Sequence, residues 1–280
     1  MKLGKCRGLS ASSEVKVLFQ VLGPFLAADA TGEILEIVRG KHRHLLALLL
    51  FNANLAVSTD YLIEHLWQGR APRSALNNLR TYIAQLRRLL MPAVPGTSPI
   101  STRSDGYCLS ISPQRVDAYL FEKLAAQART AAERSDLTGA ADAFDRALAL
   151  WRGEAFHGVD TGDELRAWQQ RLHEERLTAT EDLFDVRLAL GRHAELIGRL
   201  TDFAYRNPLR ERPHAQLMLA LYRCGRQAEA LTTYRHLHDT LMTHIGCQPT
   251  ALATELHQRI LRADPSLTLQ STSVGLITKG

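Results

Sequence analysis

Residues Ala71–Ile111 read APRSALNNLRTYIAQLRRLLMPAVPGTSPISTRSDGYCLSI, and no Asp or Glu falls between Arg70 and Ser104. Leu76, Leu79, Ile83, Leu86 and Leu90 recur every three or four residues. That spacing predicts an amphipathic helix over about 73–90, with Pro72 near its first turn and those leucines on the buried face. At about 100° per residue the opposite direction is held by Ser74, Asn77, Thr81, Gln85 and Arg88, with Asn78 and Tyr82 beside them. Arg73, Arg80 and Arg87 lie on the flank. A merely solvated face mixes both signs of charge. One that carries arginine and excludes carboxylates suits a polyanion: short amides and hydroxyls can meet base edges while guanidinium groups reach phosphates.

The surroundings of this helix predict its fold. Val15–Ala27 alternates like a strand and ends at Gly23-Pro24, and Glu33–Val38 is a second candidate strand. Residues 41–54 form a strongly apolar helix. Ser58 is a suitable N-cap for a second helix, TDYLIEHLW, ending near Gly69. After a Pro/Gly-rich loop at 92–99, ISTRSDGYCLSI reads as a hairpin turning at Ser104-Asp105-Gly106, with Arg103 on its tip. Strands, three helices and a hairpin make the order of a winged helix-turn-helix, whose third helix enters the major groove while the hairpin lies along the backbone or minor groove.

From Asp117 the pattern becomes helical and repeats itself. SDLTGAADAFDRALALW, GRHAELIGRLTDFAYRNP and GRQAEALTTYRHLHDTL share a frame that turns at Ser135, Gly191 or Gly225. Small or apolar residues follow at the fifth position (Ala140, Leu196, Ala230), larger ones at the ninth (Phe144, Leu200, Tyr234) and apolar ones at the twelfth (Ala147, Phe203, Leu237). Gly191 and Gly225 stand one tetratricopeptide period apart, and Pro208 falls where such a unit ends. The longer gap before Gly191 implies an extra helix within DELRAWQQRLHEERLTATEDLFDVRLAL. The predicted class is therefore mainly α with a small β component: a polar tail at 1–13, a winged helix-turn-helix domain at 14–112, an all-α tetratricopeptide-like domain at 113–265, and a flexible tail at 266–280.

Charge follows the same division. Residues 14–112 hold ten Lys and Arg against seven acids, while 113–265 hold twenty against twenty-two, so the basic excess sits beside the third helix. Four cysteines without paired spacing argue against a disulfide framework or a zinc site. No secretory signal or membrane-length apolar run is present, so the chain reads as cytoplasmic. His42 with His44, and His236 with His238, invite a metal reading, but residues two apart on a helix point to different sides and no acid or thiol stands at ligand spacing. With no phosphate loop, nucleophile elbow or HExxH, the sequence predicts neither enzyme nor cofactor.

Two long segments resemble known domains. VLGPFLA, GKHRHLLALLLFNANLAVSTDYLIEHLWQGRAPRSALNNLRTYIAQLRRLL and GYCLSI together resemble the winged helix of OmpR-type regulators. FEKLAAQARTAA, LALGRHAEL, NPLRER and LMLALYRCGRQAEAL resemble the bacterial transcriptional activation domain. Joined in this order over about residues 15–265, they resemble the SARP family (Streptomyces antibiotic regulatory proteins). That resemblance implies an activator of secondary-metabolite gene clusters that binds direct repeats near the −35 region and recruits RNA polymerase holoenzyme through its sigma factor, with two copies meeting at least on the promoter DNA. The DNA-contacting set expected on this basis is Arg73, Ser74, Asn77, Asn78, Arg80, Thr81, Tyr82, Ala84, Gln85, Arg87, Arg88 and Arg103. One departure is Leu76, where family members often carry a basic residue.

Overall fold

The computed structural model describes residues 18–267, apart from 30, 39, 92–97 and 161. The expectations for residues 1–13, for most of the loop at 92–99 and for the tail beyond Leu267 lie outside the described residues. The chain divides into two units that are not contiguous in sequence: one takes the chain to Leu120 together with Trp151–Leu172, and the other takes Phe121–Leu150 with the chain from His173 onward.

The first unit begins with β1 (Phe19–Gln20), β2 (Leu26–Ala28) and β3 (Ile34–Leu35), an antiparallel meander in which Phe19 pairs with Ala27 and Ala27 with Leu35. The single strand expected over Val15–Ala27 is thus two strands, because the backbone between them is committed elsewhere. The buried carboxylate of Asp117 accepts the Val21 and Leu22 amides at 2.7 and 3.1 Å. The amides of Arg152, Phe156 and His157 donate to the carbonyls of Leu22, Val21 and Gly23 at 2.8, 2.7 and 3.0 Å. Arg152 also reaches Asp117 through its guanidinium, at 2.9 Å. These bonds explain why Trp151–Leu172 belongs with the N-terminal unit.

Next come α1 (Lys41–Phe51), β4 (Val57–Ser58), α2 (Thr59–Trp67), α3 (Ala75–Leu90), β5 (Ile100–Thr102) and β6 (Gly106–Leu109). The run from His44 to Leu50 is buried throughout. Ser58 caps α2 as expected, its hydroxyl accepting the Tyr61 amide at 3.2 Å. The hairpin β5–β6 is present and gains a third strand beside β6, with sheet order β4-β6-β5 and Val57 opposite Tyr107. Two residues are too few to show alternation, so β4 leaves no trace in the sequence pattern.

In the helical unit the shared frame corresponds to helix pairs. Ser135, Gly191 and Gly225 all take left-handed backbone, with φ of 63°, 79° and 75°. They join α4 (Asp117–Glu133) to α5 (Leu137–Leu148), α6 (Asp163–Ala189) to α7 (His193–Arg206), and α8 (Glu211–Arg223) to α9 (Gln227–His244), before α10 (Ala251–Leu261). The helix expected within DELRAWQQRLHEERLTATEDLFDVRLAL is present, and among the described residues of that gap it is a single one. That segment is α6 itself, the first member of the second pair, extended to 27 residues. Phe184, Leu196, Leu200, Met218, Ala230 and Ile260 share one core, and Leu267 is buried in it as well.

The NPLRER stretch has a visible task in this unit. Arg210 contacts Glu181 and Glu174 at 2.6 and 2.7 Å, while Arg212 contacts Asp182 and Asp185 at 2.7 and 2.5 Å. Arg129 from α4 meets Asp182 and Glu175 at 2.8 and 2.7 Å. The acids of α6 thereby tie α4 to the start of α8. Among the described residues no helix is long and apolar enough to cross a membrane.

Candidate nucleic-acid interface

A helix that must read an edge of DNA needs one face fixed to its domain and the other free. On α3 the fixed face is Ala75, Leu79, Ile83, Leu86 and Leu90, each at most 5 % exposed. The sequence assigned Leu76 to that face, and the structure corrects this: Leu76 is 40 % exposed. The physical reason is angular. The buried stripe is centred between Ala75 and Ile83, and Leu76 falls about 60° from that centre, so the smaller Ala75 is turned inward in its place.

Arg73, Ser74, Asn77, Arg80, Thr81, Ala84, Gln85 and Arg88 are exposed on α3 and at its entry, and Arg103 is exposed on the turn of the hairpin. Arg73, Arg80, Arg88 and Arg103 have no ion-pair partner among the described residues. Thr81 spends its hydroxyl on the Asn77 carbonyl one turn back (2.9 Å), and Asn78 donates to the Ser74 hydroxyl at 3.2 Å. Both are local bonds at the surface that a stronger acceptor could replace.

Three predicted residues are engaged within the unit. Arg87 donates from Nε to the Ile100 carbonyl (2.9 Å) and from Nη2 to the Thr102 hydroxyl (2.8 Å), with its guanidinium 5.9 Å from the Tyr107 ring centre. It therefore sets the hairpin against α3. Tyr82 is half-buried, its ring 4.5 Å from His42 and 6.4 Å from Trp67. Gln85 is hydrogen-bonded to His42 through Oε1 and Nε2. The sequence offers His42 as a surface or core histidine rather than a metal ligand, with nothing to link it to Gln85. A partner 43 positions away leaves no local signal.

The His42/His44 pair separates as helical geometry requires. His44 is fully buried with both ring nitrogens unpartnered, and burial, followed by the nearby Lys41 charge, pushes it down to about 4. Among the described residues no three His, Cys, Asp or Glu side chains lie close enough to hold a metal ion. The hairpin end is anchored through backbone: Thr59 donates its amide and hydroxyl to the Asp105 carbonyl at 2.9 and 3.0 Å. The surface is thus an outward helix face with uncompensated positive charge, beside a braced hairpin carrying one more arginine.

Family models match both parts of the chain. Residues 37–109 match the transcriptional regulatory protein C-terminal family, and residues 116–261 match the bacterial transcriptional activator domain. The regulatory protein DnrI of Streptomyces peucetius is 37 % identical over 253 residues, which cover 88 % of this chain and 93 % of DnrI. The regulatory protein AfsR of Streptomyces coelicolor is 40 % identical over 250 residues, 89 % of this chain but 24 % of AfsR. Among solved structures, Mycobacterium tuberculosis EmbR in complex with a low-affinity phosphopeptide superposes with a TM-score of 0.84 at 28 % identity, over 90 % of this chain and 68 % of that one.

Proposed function

Because the chain belongs to the SARP family of DNA-binding transcriptional regulators, we propose that it is a pathway-specific activator of a secondary-metabolite, antibiotic-type gene cluster. It binds direct repeats near the −35 region of its promoters, two copies on adjacent half-sites, and recruits RNA polymerase through the sigma factor. Acting on the chromosome, it works in the cytoplasm, associated with the nucleoid.

The observation that carries this reading is the outward face of α3 and its entry, which offer three arginines without acidic partners (Arg73, Arg80 and Arg88) together with Arg103 on the hairpin. Phosphate contacts from such side chains give affinity that falls steeply with salt, while Asn77, Thr81 and Gln85 are of the types that hydrogen-bond to bases. The proposed contact set is Arg73, Ser74, Asn77, Asn78, Arg80, Thr81, Tyr82, Ala84, Gln85, Arg88 and Arg103, with Arg87 contributing by holding the hairpin. The family membership supports a regulator over an enzyme.

DNA-affinity sequencing with the purified chain on fragments of its source genome tests the reading. Enrichment of repeated half-sites upstream of a biosynthetic cluster is expected, and so is loss of enrichment for Arg88→Ala with Arg103→Ala. Enrichment that survives both substitutions would remove the assigned surface. Abortive transcription from an enriched promoter with purified holoenzyme then tests recruitment: stimulation by the chain supports it, and its absence removes that part.

A further inference from the structure

Leu76 is the one large apolar side chain among the exposed residues of α3. Arg80 lies four residues after it, the spacing at which residues share a helical face, and Arg73 stands two residues before the helix begins. Asn77 follows it directly, and all four are in or beside the first two turns, the part of a reading helix that contacts base edges. Whatever meets the two arginines therefore also meets Leu76. A phosphate backbone gives an isobutyl group nothing, since burying it against charged oxygen gains no apolar contact. On the floor of a major groove the apolar feature is the C5-methyl group of thymine.

We infer that Leu76 is a specificity residue that packs on a thymine methyl within each half-site, a discrimination set beside the hydrogen bonds of Asn77. The inference rests on the DNA-binding reading above and deepens it. It accounts for an apolar side chain held 40 % exposed between two arginines. It also makes a chemical distinction that neither phosphate nor hydrogen-bond readout makes, because thymine and uracil differ only by that methyl group.

The test uses the full chain and a duplex obtained by repeated selection from a random library. Each thymine of the selected duplex is replaced in turn by deoxyuridine. The expected result is one position per half-site where the replacement weakens binding about fourfold, the value of one buried methyl-sized group. Leu76→Ala should bind the thymine and uracil duplexes equally at that position, and Leu76→Met, which keeps an apolar tip, should still distinguish them. If the unsubstituted chain tolerates deoxyuridine everywhere, or Leu76→Ala keeps the same sensitivity, the inference fails while the DNA-binding reading stands. If no duplex is selected, the DNA-binding reading fails and takes the inference with it.

Discussion

A β-carbon on residue 106 would fall on the carbonyl of Val57, where β4 and β6 run side by side. Backbone cannot yield there as the end of a long side chain can. Gly106→Ala is therefore expected to cost about 1–3 kcal/mol of stability, read from urea unfolding of the full chain. An unchanged midpoint would mean that the strands separate more readily than their pairing implies. His44 gives a second test with a definite sign. It stays neutral in the folded chain down to about pH 4, whereas unfolded it takes a proton near its ordinary value of 6.5. As pH falls through that window the unfolded chain binds a proton that the folded one refuses, so stability drops, by about 2 kcal/mol between pH 7.5 and 5. Above about pH 7.5 the group has no effect. His44→Leu should remove that part of the acid sensitivity, measured as the difference between variant and unsubstituted chain at the two pH values; equal slopes would refute it.

Among elements, α3 separates two kinds of arginine. Arg88 is exposed and unpaired, so Arg88→Ala should lower the slope of log K against log salt by about one while leaving thermal unfolding in place. Arg87 is bonded to Ile100 and Thr102, so Arg87→Ala should lower the melting temperature as well as binding. Identical behaviour of the two variants in titration and melting would contradict this division. In the helical unit, Arg212→Ala leaves Asp185 without the guanidinium that now neutralises it in a largely buried setting, while Glu181 keeps Arg210 and Asp182 keeps Arg129. A loss of about 3 kcal/mol in chemical unfolding is expected, and a loss under 1 would show that water takes over the role.

What the sequence discloses follows from the same residues. The helix α3, the hairpin and the turns at Ser135, Gly191 and Gly225 all rest on local spacing, and each is found where that spacing puts it. Leu76 was misassigned because it and Ala75 are both apolar and neighbours in angle, and hydrophobicity alone favours the larger. The strand β4 and the contact of Gln85 with His42 depend on partners tens of residues away. Periodicity carries no record of such partners.

At the level of the whole molecule, the unit that bears α3 is built from two separated stretches. Phe156 packs at a tilt against Phe25 and Trp168, at 6.2 and 4.9 Å, and Trp168 lies 5.3 Å from Phe51, while Arg152 satisfies Asp117. A fragment ending at Leu120 keeps every residue of the proposed DNA surface but loses the rings of Phe156 and Trp168 that pack on Phe25 and Phe51, and the partner of a buried carboxylate. It is expected to show poor dispersion of amide signals and a broad, low-temperature unfolding transition beside the full chain. A sharply folded fragment would show that Trp151–Leu172 is an accessory to this unit.

The same interleaving bears on birth at the ribosome. The last residues of the reading unit, up to Leu172, are added some fifty positions after Leu120. At synthesis rates of about 5–20 residues per second, a nascent chain carries an unfinished reading unit for about 3–10 seconds. During that interval its apolar N-terminal segment stays uncovered and open to chaperones. A chain cut short between Leu120 and Trp151 would hold all of the basic residues of the proposed surface without the second stretch of the unit that carries them.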